Sequence, residues 1–197
     1  MDSCQLVLAS ASPRRLELLS AFGLHLQVDP VDIDERPAPG EKPAALAQRL
    51  AEAKAAAAAS RHPGRVVLAA DTVVAADGAV LGKPADAAEA GAMLRRLAGR
   101  RHEVYTAVAA RRDAAAAVRL SRSEVDFRAL AASEIDAYVA TGEPLDKAGA
   151  YGIQGCAAIF VTRLCGSYSG VVGLPLAETA ELLQEFGIEL LRCGAAA

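Results

Sequence analysis

The stretch Leu6-Val7-Leu8-Ala9-Ser10-Ala11-Ser12-Pro13-Arg14-Arg15 decides the fold. Its first three residues are an apolar run that predicts a buried strand. Ser12 followed by Pro13 predicts a helix start, because a serine oxygen can accept from first-turn amides and proline presets φ. The helix runs through Leu16, Leu19 and Phe22. Two arginines then stand where the helix dipole already repels cations, which makes an anion the natural third party. Free amides, hydroxyls and guanidinium groups together suit phosphate oxygens. Taken alone, the pair reads equally well as a solvated arginine turn.

Outward from this stretch, helices and strands alternate in a mixed order. Val31 to Pro43 is acidic and proline-rich and reads as a loop. An alanine-rich helix follows from about Ala44 to Ser60, with Leu46, Leu50 and Ala53 on one face beside Lys54, and His62-Pro63-Gly64 stops it. Val66 to Ala76 is a β-branched apolar run interrupted by Asp71, and Asp77-Gly78 turns it into Ala79-Val80-Leu81. Asp86 caps a helix bearing Met93, Leu94 and Leu97 that ends at Gly99. Val104–Ala110 and Val118–Phe127 read as paired strands joined by a loose tip over Ala114–Ala117. Ser133 and Asp136 suggest a capping box for a helix closed by Gly142. Then come the glycine-bearing loop Glu143–Gly155, a strand over Ala158–Leu164, a second glycine-rich loop Gly166–Gly173, and a helix with Leu182, Leu183 and Phe186 that ends at Gly187. This mixture predicts an α/β or α+β domain.

Composition narrows the function classes. The 197 residues suit one domain, and the 53% hydrophobic content overstates its core because alanine supplies much of it. A net charge of −3 argues against nonspecific nucleic-acid binding, although a local basic cleft remains compatible with it. Cys4, Cys156, Cys165 and Cys193 form no C-x-x-C pair and read as reduced, partly buried thiols. His25, His62 and His102 are scattered, which gives a zinc site or a histidine triad little support. With neither a signal-peptide pattern nor an apolar run long enough for a membrane span, the expectation is a cytoplasmic protein.

Five segments in order, QLVLASASPRR (residues 5–15), Ala70-Asp71-Thr72, Gly82-Lys83-Pro84, DKAGAYGIQG (146–155) and GSYSGVVGLP (166–175), resemble the Maf family of nucleoside triphosphate pyrophosphatases. Within that family, DKAGAYGIQG is similar to the branch acting on dTTP and UTP. The resemblance implies a mixed, twisted sheet in two lobes around a deep cleft, all in one domain over residues 1–197. It also implies hydrolysis between the α and β phosphates, giving a monophosphate and pyrophosphate.

A carboxylate inside an apolar strand is costly unless paired, so Asp71 is the clearest anomaly in the chain. A salt bridge to a core arginine would explain it, and the family resemblance implies a proton acceptor. Lys54 and Lys83 would be solvated lysines by default. Their match to family positions makes them catalytic cations, with Ser10, Arg14 and Arg15 as substrate-binding groups. Glu35, in an acidic loop, is a metal-ligand candidate together with Asp71 for a divalent cation such as Mg²⁺, Mn²⁺ or Co²⁺, or else a solvated carboxylate. Gln154 is expected to read the base, with Thr72 and Arg14 shaping the pocket. Its amide can accept from uracil N3–H and donate to O4, but flipped it would serve cytosine, and no residue is evident that fixes the flip. Gly149, Gly152 and Gly155 would let the loop backbone approach the base, or form an ordinary connector. Tyr151 would stack on the base or fill the core.

The partners expected are a nucleoside triphosphate and, as an open option, a second copy of the chain in a homodimer. Neither membrane nor nucleic acid is expected. D-x-D-x-T and G-x-x-x-x-G-K-[ST] are both absent, which disfavours a haloacid-dehalogenase phosphatase and a P-loop kinase. A nucleotide- or nucleic-acid-binding regulator of cell division, without turnover, is the non-enzymatic alternative.

Overall fold

The structure, a computed structural model, describes residues 6–193, and only the backbone of residues 192 and 193. β1 (Leu6–Leu8) pairs in parallel with β2 (Leu26–Val28) and with β3 (Val67–Ala76). Antiparallel β5 (Arg101–Arg112), β6 (Ala115–Phe127) and β7 (Val161–Cys165) extend the sheet in the order β2-β1-β3-β5-β6-β7. β4 (Ala79–Leu81) folds back on the far end of β3 through the expected Asp77-Gly78 turn, where both residues take positive φ. The expected mixed α/β sheet is therefore present.

Its registers leave a gap that matters. β1 pairs with β3 as far as Leu68, and β4 pairs with it from Val74 onward. Among the described residues, the edge of β3 between those points borders no strand, and Asp71 and Thr72 lie in that gap. Strand alternation sends their side chains to opposite faces. Val67, Ala69 and Val73 share the face of Asp71 and pack with Leu46, Ala47, Leu50 and Ala51 of α2 (Pro43–Ala59). Alanines on both elements let the helix lie close enough for Lys54 to reach the strand. Leu68 and Ala70, on the other face, pack with Leu19 of α1 (Pro13–Ser20) and with Leu182 and Leu183 of α6 (Leu176–Glu185). A third cluster at the far end of the sheet joins Val74 and Leu81 to Met93, Leu94 and Leu97 of α3 (Ala87–Leu97), Ile135 and Tyr138 of α4 (Ala132–Ala140), and Tyr151 and Phe160.

Several local expectations need correction. Ser12 occupies the N-cap of α1 but makes no side-chain cap bond; Ser10 Oγ instead accepts from the Ser12 N–H at 3.2 Å. Phe22 lies beyond that helix, which ends at Ser20. α4 starts after Ala131, upstream of the expected Ser133 box, because Glu134 Oε2 accepts from the Ala131 N–H at 2.9 Å. The expected strand over Ala158–Leu164 begins only at Val161, after a 3₁₀ segment over Cys156–Phe160. The alanines after Asp113 are not a loose tip: Ala115, Ala116 and Ala117 continue β6 opposite Arg112, Arg111 and Ala110. The loop Gly166–Gly173 contains α5 (Tyr168–Val172). Cys156 and Cys165 are exposed rather than partly buried, while Cys4 and the Cys193 side chain lie outside the described residues.

Candidate active-site cleft

A cleft of about 940 Å³ opens at the gap in the sheet. Ser10, Arg14, Arg15, Glu35, Lys54, Asp71, Thr72, Lys83 and Gln154 all line it, so every residue expected at the site is brought to one place. Its floor is ionic. Lys54, carried in from α2, sets its ammonium 2.6 Å from Asp71 Oδ1 and 2.5 Å from Glu35 Oε1. Asp71 thus pairs with a lysine rather than with the core arginine considered above. Burial pushes the Asp71 carboxyl above its ordinary pKa of 3.8, and Lys54 and Arg15 only partly counter it. Burial presses Glu35 the same way, but there the bond and charge of Lys54 prevail and its pKa falls below 4.5. The two carboxylates on one ammonium are therefore pushed apart in acidity by their surroundings.

Arg15 is held on the opposite face. Its Nη1 donates to Ser10 Oγ at 3.1 Å, its Nη2 to Thr72 Oγ1 at 3.3 Å, and its Nε to the Gly173 carbonyl at 2.8 Å. Thr106 Oγ1 donates to the Gly170 carbonyl at 2.7 Å and lies 3.0 Å from Thr72 Oγ1, from which it can accept. Arg15 therefore ties the loop after β1, strand β3 and the residue that caps the end of α5 together beneath the cleft. Arg14, one residue earlier, reaches the mouth and meets Asp146 Oδ2 at 3.4 Å. Lys83 follows β4, exposed to the cleft and near enough to Glu35 to help lower its pKa.

The far wall is the loop over residues 143–155. Tyr151 fills the core: it is buried, its hydroxyl meets His102 Nε2 at 2.8 Å, and its ring packs edge-on against Phe127. The loop glycines admit the close approach of neighbouring protein side chains, and Gly152 and Gly155 also line the cleft. A Cβ on Gly149 would stand 2.8 Å from Val74 Cγ1, and one on Gly155 would collide with the Glu143 carboxylate. That carboxylate accepts from Tyr138 Oη at 2.8 Å and from the Cys156 N–H at 3.0 Å, fixing the turn that exposes Gln154 to the cleft. Glu143, Asp146 and Lys147 also line the cleft, and the sequence reading gave them no role. The recurrence of glycine at every third position was the available signal, since it marks where neighbouring side chains fold back. Gly149→Ala, strained at φ +71° and crowded by Val74, is expected to cost on the order of 1–3 kcal/mol. A lowered urea midpoint at unchanged m-value would register this, and an unmoved midpoint would contradict it.

Residues 5–186 match the family described as Maf-like protein. The chain belongs to this family. Among relatives of this Maf-like chain, one from Anaeromyxobacter dehalogenans (strain 2CP-1), named dTTP/UTP pyrophosphatase, is 56% identical over 190 residues, covering 94% of this chain and 96% of its own. Proteins of the same name from Myxococcus xanthus and Chromobacterium violaceum are 53% and 50% identical, each over 96% of this chain and over 96% and 98% of their own. Among solved structures, a HAM1 protein from Coxiella burnetii aligns over 91% of this chain and 98% of its own, at 20% identity and a TM-score of 0.49. No helix among the described residues is long and apolar enough to cross a membrane.

Proposed function

We propose that this Maf-like chain hydrolyses dTTP and UTP to the monophosphate and pyrophosphate. The observation that carries the reading is the juxtaposition in one cleft of a buried carboxyl of raised pKa, Asp71, with the N-terminus of α1, Arg14 and Lys83. The cations and the helix end suit a triphosphate. A pure anion-binding site would gain nothing from a carboxylate beside phosphate, so Asp71 favours turnover over binding alone.

In this reading Asp71 Oδ1 stays on Lys54 while Oδ2 accepts from a water. The water oxygen bonds to the α-phosphorus, its proton passes to Asp71, and the bridging bond to the β-phosphate breaks, releasing pyrophosphate. Arg14 and Lys83 meet the charge on the phosphate oxygens, and Arg15 holds Ser10 and Thr72 in place around them.

Among the described residues, no group of three or more His, Cys, Asp or Glu side chains could hold a metal unaided. Glu35 and Asp71 each give one oxygen to Lys54 and keep a second. That suits a hard divalent cation arriving on the triphosphate, which needs only one or two protein carboxylates beside phosphate oxygens. Such an ion neutralises phosphate charge when bound. Acting on free nucleotides, the protein would work in the cytoplasm.

Chromatography of products from a nucleotide panel, with and without Mg²⁺, tests the reading. UMP and dTMP with pyrophosphate are expected; UDP with orthophosphate, or no turnover, would contradict it. Gln154→Ala should lower the ratio of kcat/KM for UTP to that for GTP about tenfold, through loss of a bidentate partner for the base edge. A uniform loss across nucleotides would remove base reading from Gln154.

A further inference from the structure

We propose that Lys147 is a specificity-determining residue, a donor that admits a carbonyl and rejects an amino group at position 4 of the pyrimidine. This rests on the dTTP/UTP pyrophosphatase reading proposed for the cleft. A glutamine amide alone cannot make that choice, because its two orientations serve uracil and cytosine equally. Gln154 therefore needs a neighbour whose hydrogen-bonding sense cannot be reversed. An ammonium is such a group, since it donates and never accepts.

Lys147 is built into the cleft wall in a way that fixes its ammonium. Its stem lies across Gly152, where an added Cβ would stand 2.7 Å from Lys147 Cε, and Gly152 is two residues from Gln154. The side chain is only 15% exposed. Two donors of Nζ are taken, one by Asp146 Oδ1 at 2.6 Å and one by the Glu143 carbonyl at 2.6 Å. An ammonium has three, so one donor remains, on a residue that lines the same cleft as Gln154.

Uracil and thymine O4 carries two lone pairs and can accept from both Gln154 and Lys147. The cytosine 4-amino group would set a donor against that fixed donor, and the desolvated mismatch would cost CTP its affinity. Asp146 also accepts from Arg14, which ties the orientation of Lys147 to the arginine at the cleft mouth.

The test measures kcat/KM for UTP, CTP and pyrimidin-2-one riboside triphosphate, which lacks the 4-substituent, in the full-length protein and in Lys147→Met. The UTP-to-CTP ratio is expected to fall about tenfold or more in Lys147→Met, and the preference for UTP over the pyrimidin-2-one nucleotide should shrink with it. Gly152→Ala provides an independent variant. Its φ is not left-handed and the obstructing atoms are the end of a flexible side chain, so it should fold while displacing the ammonium, and it should lower the same ratio. A wild-type ratio in either folded variant overturns the proposal. Wild-type protein that turns over neither UTP nor dTTP would instead overturn the activity reading itself.

Discussion

Asp71→Asn is expected to lower kcat for UTP by about 10²-fold or more while leaving nucleotide affinity within a few-fold. Asparagine keeps the shape and can still face Lys54, but it cannot take the proton of an attacking water. The wild-type pH profile supplies a second readout. The base works deprotonated, and burial raises its pKa above 3.8, so kcat/KM should climb with pH through a value above that of an ordinary aspartate and then level off. The acidic limb should vanish in Asp71→Asn. A near-wild-type kcat in the variant, or an unchanged limb, would reassign the base.

Lys54→Met is expected to cost both activity and stability. Asp71 and Lys54 side chains are 10% and 11% exposed, and removing the ammonium leaves a buried carboxylate facing Glu35 with no cation between them. Breaking such a pair costs on the order of 3 kcal/mol. The sign of its pH dependence is fixed. Asp71 already titrates higher in the folded chain than an ordinary aspartate because burial outweighs Lys54, and removing Lys54 pushes it further up. A group raised in this way contributes stability below its unfolded pKa and loses it as pH rises through the folded value. The stability deficit of Lys54→Met should therefore be full near about pH 8 and shrink toward about pH 4, where Asp71 can protonate. Urea unfolding midpoints of variant and wild type across that range would show the gap closing. A constant gap would mean that the carboxylates are not what the lysine compensates.

The sequence carried the site further than it carried the local geometry. Asp71 was legible because a charge in the β-branched run Val66–Ala76 breaks the apolar pattern, and Arg14 and Arg15 because they follow a serine and proline at a helix start. The division of labour between the two arginines was not legible. Arg15 is spent on Ser10, Thr72 and Gly173, and the last of these lies 158 residues away. The short strand β2 escaped because Leu26-Gln27-Val28 is too brief for periodicity to register, and it exists by pairing with β1. The start of α4 was misplaced for a similar reason: Glu134 bonds Arg128 as well as the Ala131 N–H, and that pairing precedes the serine that resembled a cap. The glycines of DKAGAYGIQG signalled close approach correctly, but of the approaching groups only Lys147 lies within that segment, whereas Val74 and Glu143 become neighbours in three dimensions.

Hydrolysis of UTP in ¹⁸O-labelled water, followed by mass spectrometry of both products, addresses most directly the claim that water attacks the α-phosphorus within this cleft. The account predicts one ¹⁸O atom in UMP and none in pyrophosphate. Label in the pyrophosphate with unlabelled UMP would place the attack on the β-phosphorus and contradict it.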